Sequence, residues 1–241
     1  MRVALLSDVH ANLPALAAAL RLTERLGTRR VVVAGDIVGG GPHPAEVVNV
    51  LRSRNVAAIR GNVDRKVVAL AGDRRRAKER LAAGKGANPA WTALQLGEDE
   101  VTWLGALPAQ LDLEVAGLRV RIVHGSPASD EEPLYPSLTA PALRSRLAGD
   151  APDVLVCGHT HVPFVRRVAG VLVINCGSVG RPYDGDPRGS IALLHAEGGR
   201  GRGRIVRFAY DTGAVGDDMQ SRGVPGIAPD AFARGVEGKP R

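Results

Sequence analysis

Aromatic side chains are scarce in this chain, 3% of 241 residues, which leaves few stacking platforms for single-stranded nucleic acid. Cysteine occurs twice, at Cys157 and Cys176. That is too few for a disulfide framework, and both lie in apolar strand-like runs, so they read as reduced, buried and structural. No apolar run approaches the length of a membrane span. The opening MRVALLSDVH offers four apolar residues before Ser-Asp, too short for a signal-peptide core. The expectation is a cytoplasmic protein without a membrane partner. Acidic residues are outnumbered, 25 Asp and Glu against 32 Lys and Arg, for a net charge of +7. A basic surface favours phosphates or nucleic acid. Against nucleic acid, Arg74, Arg75, Arg76, Lys78 and Arg80 alternate with apolar positions as on a solvated helix face. The GGRGRGR stretch at 198–204 reads as a hairpin turn, although it resembles an RG-rich segment. Nucleic-acid binding is therefore expected to be weak and nonspecific.

What is present is an ordinary globular composition, 44% hydrophobic and 24% charged, long enough for one domain with a real core. Residues 2–62 alternate strand and helix. VALLS, RVVVAGD and VAAIRGN read as short buried strands. Asn12 and Pro14 start a helix that ends at Gly27, and Val47, Val48 and Leu51 recur at helical spacing in a second. This βαβαβ order predicts a parallel sheet with right-handed crossovers. Residues 65–109 are rich in Ala, Leu, Arg and Lys, with Trp91 and Trp103. They predict short helices broken at Gly72, Gly84, Gly86 and Pro89, forming a cap-like insertion over the site, with a plain outer layer as the alternative. Strands dominate from 110: a pair around Gly117, then 153–157, 164–168, 171–175, 190–195 and 203–209, with a helix near 139–148. The domain is expected to span 1–210. Residues 211–241 are expected to be a tail, packed on the surface or partly disordered.

Five short segments stand at the ends of apolar runs: SDVH (7–10), GD (35–36), GNVD (61–64), VHG (123–125) and GHTH (158–161). In α/β sheets that edge is where ligands bind. Asp8 and His10, two apart on an extended chain, should point the same way, as should His159 and His161. With Asp36, Asn62 and His124 they bring seven oxygen and nitrogen donors to one edge. Seven donors exceed the needs of one transition metal, and two ions sharing a carboxylate account for the number. Carboxylate, imidazole and amide without thiolate suit Mn, with Fe, Zn, Ni or Co as alternatives. Two ions roughly 3.5–4 Å apart can activate a shared water and clamp a phosphoryl group. The expected chemistry is in-line attack of a metal-held hydroxide on phosphorus.

The five segments together resemble the calcineurin-like metallophosphoesterases, closest to their small bacterial and archaeal phosphodiesterase branch, over residues 1–195. The resemblance implies a four-layer α/β/β/α sandwich of two mixed β-sheets. It implies one ion held by Asp8, His10, Asp36 and His161, a second held by Asp36, Asn62, His124 and His159, and Asp36 as the bridge. NCGSVGRP (175–182) also resembles the family, which often has proline where Cys176 stands. One position departs. Many members read GNH before an acidic residue, and that histidine aids the leaving group. Here the position is Val63, so no catalytic histidine is carried over and Asp64 is left without its usual partner. Asn12 reads first as a helix cap and second as a substrate contact. Arg181 reads as a substrate contact able to hold a second phosphate, or as an exposed loop arginine. His43 reads as a surface residue or one behind the site, His195 as structural, and Asp130, Glu131 and Glu132 as a solvated loop. The functional expectation is a phosphodiesterase or phosphatase for small phosphate esters or nucleotides. The alternatives are a nuclease or protein phosphatase, or a non-catalytic scaffold such as the retromer subunit that resembles this family.

Overall fold

A computed structural model describes residues 1–147 and 149–236. The first half alternates as expected: β1 (Arg2–Leu6), α1 (Leu13–Arg25), β2 (Arg30–Ala34), α2 (Pro44–Ser53) and β3 (Ala57–Ile59). Four helices follow, α3 (Asn62–Ala71), α4 (Arg74–Ala83), α5 (Ala87–Gln95) and α6 (Glu98–Ala106). Then come β4 (Gln110–Val115), β5 (Leu118–Val123), α7 (Ala140–Leu147), β6 (Val154–Cys157), β7 (Phe164–Val168), β8 (Val171–Asn175), β9 (Gly189–Glu197) and β10 (Arg200–Phe208). Two helices close the described chain, α8 (Thr212–Ser221) and α9 (Ala231–Arg234).

The strands form two mixed sheets, β10-β9-β1-β2-β3 and β4-β5-β6-β8-β7. In the first, β1, β2 and β3 run parallel and β9 and β10 add an antiparallel edge; in the second, parallel β5, β6 and β8 are flanked by antiparallel β4 and β7. Strand periodicity assigns the layers. Ala4 and Leu6 of β1 join a core with Leu16, Val47, Val48 and Leu51 of α1 and α2. Val3 and Leu5 point the other way, into a core between the sheets with Ile122, Val156 and Ile174. Leu155 and Val173 face outward onto Leu143 and Leu147 of α7. The result is the expected α/β/β/α sandwich, with both sheets buried on two faces. That is why their central strands read as unbroken apolar runs.

Three expectations change. Residues 200–204 are strand rather than turn, and only Gly198 and Gly199 make the bend. A Cβ at Gly201 would sit 3.0 Å from Leu118, and one at Gly203 would sit 2.9 Å from Ile174. The glycines let β10 approach the other sheet, while Arg200 and Arg202 beside them are exposed. Pro89 does not break a helix. It lies in the first turn of α5, where its missing N–H is not needed. The helices of 65–109 share the first core with α1 and α2 through Val67, Leu70, Ala77, Ala90 and Leu104, and thus extend the outer helical layer. They touch the predicted site edge through Asn88, which accepts from Gly40 N at 2.7 Å.

The C-terminal segment is folded over residues 212–221 and 231–234, with its own core of Val215, Met219, Ile227 and Phe232. It is pinned to loops beside the site. Asp218 meets His43 Nε2 at 3.0 Å, Arg222 donates to the Pro42 carbonyl at 3.1 Å, and Asn88 donates to Pro225 O at 3.2 Å. Residues 237–241 of the predicted tail lie outside the described residues. No described helix is long and apolar enough to cross a membrane.

Candidate metal centre

All five segments meet at the C-terminal ends of β1, β2, β5 and β6 and the N-terminus of α3, on one edge of the sandwich. Their backbone is not extended there, as the two-residue spacing suggested. Asp8, His10, Asp36, His159 and His161 all have positive φ, from 50° to 66°. Each such non-glycine residue costs roughly 1–3 kcal/mol, which the surrounding bonds must offset. Asp8 N, His10 N and Ala11 N donate to the carbonyls of Gly35, Asp36 and Ile37 at 2.9–3.0 Å. The β1–β2 ladder thus continues into the loops and holds them curled. Curling brings the side chains to one point, which an extended chain would not do.

At that point the imidazoles are oriented from behind. His10 Nδ1 donates to Gly39 O at 3.0 Å, His124 Nδ1 to Ala34 O at 2.9 Å, and His161 Nδ1 to Arg181 O. A carbonyl only accepts, so each Nδ1 carries the proton and each Nε2 presents a lone pair inward. His10 Nε2 and His161 Nε2 lie 3.1 Å apart, and His124 Nε2 lies 3.1 Å from Asn62 Oδ1. Asp8 Oδ1, 3.2 Å from His161 Nε2, is buried with no hydrogen-bond partner among the described residues. Lone pairs facing lone pairs in a buried space repel unless a cation sits between them. The donors therefore fit metal ions.

Two groups of acidic and imidazole ligands are tight, Asp8 with His10 and His161, and Asp8 with Asp36 and His124. Asp8 occurs in both, yet Asp36 is better placed to be shared. Its Oδ2 lies 3.4 Å from His124 Nε2 and 3.7 Å from His10 Nε2, between the two sets. His159 stands edge-on to His124, 5.1 Å between ring centroids, at the rim. The charges of the cluster also act on one another. Burial would lower the His124 pKa, but Asp36 beside it overrides this and pushes it up to about 10. Burial would raise the Asp8 carboxyl, but His161 and His10 hold it well below the usual range. Burial raises both cysteine thiols, and neither cysteine belongs to the cluster.

Several supports carry no motif of their own. Asn175 donates to Gly158 O at 2.8 Å and Thr160 Oγ1 at 3.0 Å, steadying the GHTH loop. Asp64 is not left without partners. Its carboxylate accepts from Ile37 N, Val38 N and Gly61 N at 2.9–3.2 Å, joining the Asp36 loop to the start of α3. Burial and the nearby Asp36 charge raise its pKa to about 6. Asn12 is fully buried, with Oδ1 capping α1 at Ala15 N and Nδ2 bonded to Gly180 O, so its polar atoms are taken and its role is the cap. His43 is buried behind the 38–43 loop, and His195 is an exposed residue of β9. Asp130 and Glu131 are tied to Arg65 and Lys66 at 2.7–3.2 Å, which ties the loop after His124 to α3.

Gly61 tests this construction. A Cβ there would collide with Asp36 Oδ1 and the Asp36 amide. Overpacking typically costs 1–3 kcal/mol, here focused on the Asp36 carboxylate. Gly61→Ala should keep the fold but lower metal content per chain and reduce activity at least about tenfold. Metal analysis beside thermal melting checks it. Full metal content with full activity would show that Asp36 has room to move.

Residues 1–199 match the model of the calcineurin-like phosphoesterase superfamily domain. An uncharacterized protein of Methanocaldococcus jannaschii is 30% identical over 229 residues, 87% of this chain and 88% of that protein. The phosphodiesterase YfcE of Escherichia coli is 26% identical over 197 residues, 78% of this chain and 84% of its own length. The crystal structure of a metallophosphoesterase from Sphaerobacter thermophilus superposes with a TM-score of 0.79 at 29% identity, covering 98% of this chain and all of the other.

Proposed function

Because this chain belongs to the calcineurin-like phosphoesterase superfamily, we propose that it is a metal-dependent hydrolase of small phosphate esters or nucleotides, acting in the cytoplasm as a phosphodiesterase or phosphatase. The observation that carries this reading is the cluster of inward-facing lone pairs, with His10 Nε2 and His161 Nε2 at 3.1 Å beside the unpartnered Asp8 Oδ1. Asp8, His10, Asp36 and His161 would hold one divalent ion, and Asp36, Asn62, His124 and His159 the second. Mn is the first choice, with Fe, Zn, Ni and Co as alternatives. When bound, such ions polarise a phosphoryl oxygen and lower the pKa of water.

The chain's own residues do the rest. The carbonyls of Gly39, Ala34 and Arg181 keep each imidazole in one tautomer and one orientation. Val63 N holds Asp36 Oδ1 at 2.9 Å and His159 N holds Asp8 Oδ2 at 3.0 Å, so one oxygen of each carboxylate is fixed and the other faces inward. With donors preorganised, little reorganisation is left for the transition state. The intact donor set weighs against the scaffold reading. Exposed arginines on β10 would meet phosphates, but with 3% aromatics few side chains can stack on bases, so nucleic acid should bind weakly and lose affinity steeply with salt.

A panel of aryl mono- and diesters, cyclic nucleotides and single-stranded nucleic acid, with added Mn²⁺, tests the reading. Cleavage of small esters, abolished by chelation and restored by Mn²⁺, is the expected result. Fast cleavage of nucleic acid alone, with tight binding at high salt, would favour a nuclease, and no cleavage with both sites filled would favour the scaffold.

A further inference from the structure

The loop after Val179 closes one side of the metal cradle and carries a cation that the proposed chemistry leaves unused. Arg181 is fixed through its main chain. Its N–H donates to Ser178 Oγ at 2.7 Å, Ser178 Oγ donates to the Asp8 carbonyl at 2.7 Å, and its own carbonyl accepts from His161 Nδ1. The side chain makes no such bond among the described residues. Its guanidinium carbon lies 5.2 Å from the centroid of Tyr183. The Tyr183 ring is stacked on His161, 4.0 Å between centroids and 19° from parallel. Arg181 Nε is buried and has no hydrogen-bond partner among the described residues.

An N–H that has lost water and gained no acceptor is costly to keep. Carboxylates stand in the same loop but are given to other arginines. Asp184 pairs with Arg207 and Asp186 with Arg188. Other cations around the site are also neutralised. Arg65 is tied to Asp130 at 2.7 Å, Lys66 to Glu131 at 2.9 Å and Arg222 to Glu46 at 2.8 Å. Arg181 has no carboxylate partner among the described residues. The two Nη groups at the end of the guanidinium can grip two phosphate oxygens at once, and an aromatic face beside it suits arginine better than lysine.

We propose that Arg181, seated on Tyr183, binds a second phosphate of the substrate, so that this site prefers phosphoric esters carrying another phosphate beside the one cleaved. The proposal rests on the phosphoesterase reading. It assigns to Arg181 a specificity role that the metal donors cannot supply, because they engage only the phosphoryl group that reacts.

Two chromogenic substrates separate the roles: the 5′-(p-nitrophenyl phosphate) of thymidine, with and without a 3′-phosphate. They share the reacting group and the leaving group. With the Mn²⁺-loaded full chain, KM for the 3′-phosphorylated ester should be lower by about tenfold or more. Arg181→Met should raise that KM to near the value for the plain ester, and Arg181→Lys should keep part of the preference. The carbonyl that orients His161 belongs to the main chain and survives both substitutions, so Mn per chain should stay that of the unmodified protein. Equilibrium dialysis of thymidine 3′,5′-bisphosphate against thymidine 5′-phosphate reads the same preference without turnover. Absence of preference in the unmodified chain, or equal losses on both substrates in Arg181→Met, would overturn the proposal. If neither ester is cleaved with both ions bound, the phosphoesterase reading fails, and dialysis still decides whether Arg181 reads the second phosphate.

Discussion

Asp36→Asn should lower kcat/KM at least about 1,000-fold, or ~4 kcal/mol of transition-state stabilisation, and about tenfold more than Asp8→Asn. The geometry gives the reason. In each carboxylate one oxygen is bound to a backbone N–H, Asp36 Oδ1 to Val63 N and Asp8 Oδ2 to His159 N. An asparagine must keep its carbonyl oxygen on that N–H, so its NH2 takes the inward position and cannot ligate. At Asp8 the lost oxygen faces His10 and His161, one proposed ion. At Asp36 it faces His124 and His10, one histidine of each proposed set, so both ions and the water between them lose a negative neighbour. Metal analysis should find roughly one ion per chain retained in Asp8→Asn and less than one in Asp36→Asn. Equal metal content and equal residual activity in the two variants would count against the bridge.

The second large effect concerns position 63. A departing oxygen must be stabilised, and general-acid help is typically worth 10²–10⁴-fold. Val63 cannot supply it. Its side chain packs toward Gly39, at the foot of His10, where a Cβ on Gly39 would collide with it. Rate should therefore fall steeply with leaving-group pKa, with aryl esters cleaved far faster than alkyl esters, on the order of 10³-fold or more. The slope of log kcat/KM against leaving-group pKa measures this, once chemistry is shown to limit the rate. Val63→His should flatten the slope only in part. The acidic residue after it, Asp64, already serves Ile37, Val38 and Gly61 through both oxygens, which leaves little acceptor capacity for orienting a new imidazole. A shallow slope in the unmodified protein would show that another group already delivers the proton.

The layers of the fold were legible in the sequence because their cause is local. Short apolar runs such as VALL and VVVA alternate with helices at 3.6-residue spacing, and that order admits few packings. The metal donors were legible for a similar reason, since each is a polar residue placed at the end of an apolar strand. Asn12 as a helix cap followed from its position before Leu13 and Pro14. What the sequence by itself pointed to, then, is a set of candidate donors and the edge on which they stand. Only the tertiary structure decided how they converge. The left-handed backbone at Asp8 and His10 is held by hydrogen bonds to the loop after β2, and nothing in Asp-x-His spacing requires it. The carbonyls of Gly39, Ala34 and Arg181 orient the imidazoles, and a backbone carbonyl has no signature in a sequence because every residue carries one. The GRGRGR segment became a strand because its glycines meet the opposing sheet, a fact of packing rather than of turn propensity. Arg181 stands without a carboxylate among the described residues partly for the same kind of reason, as Asp186 is taken by its neighbour Arg188 but Asp184 by Arg207, which only the fold brings near.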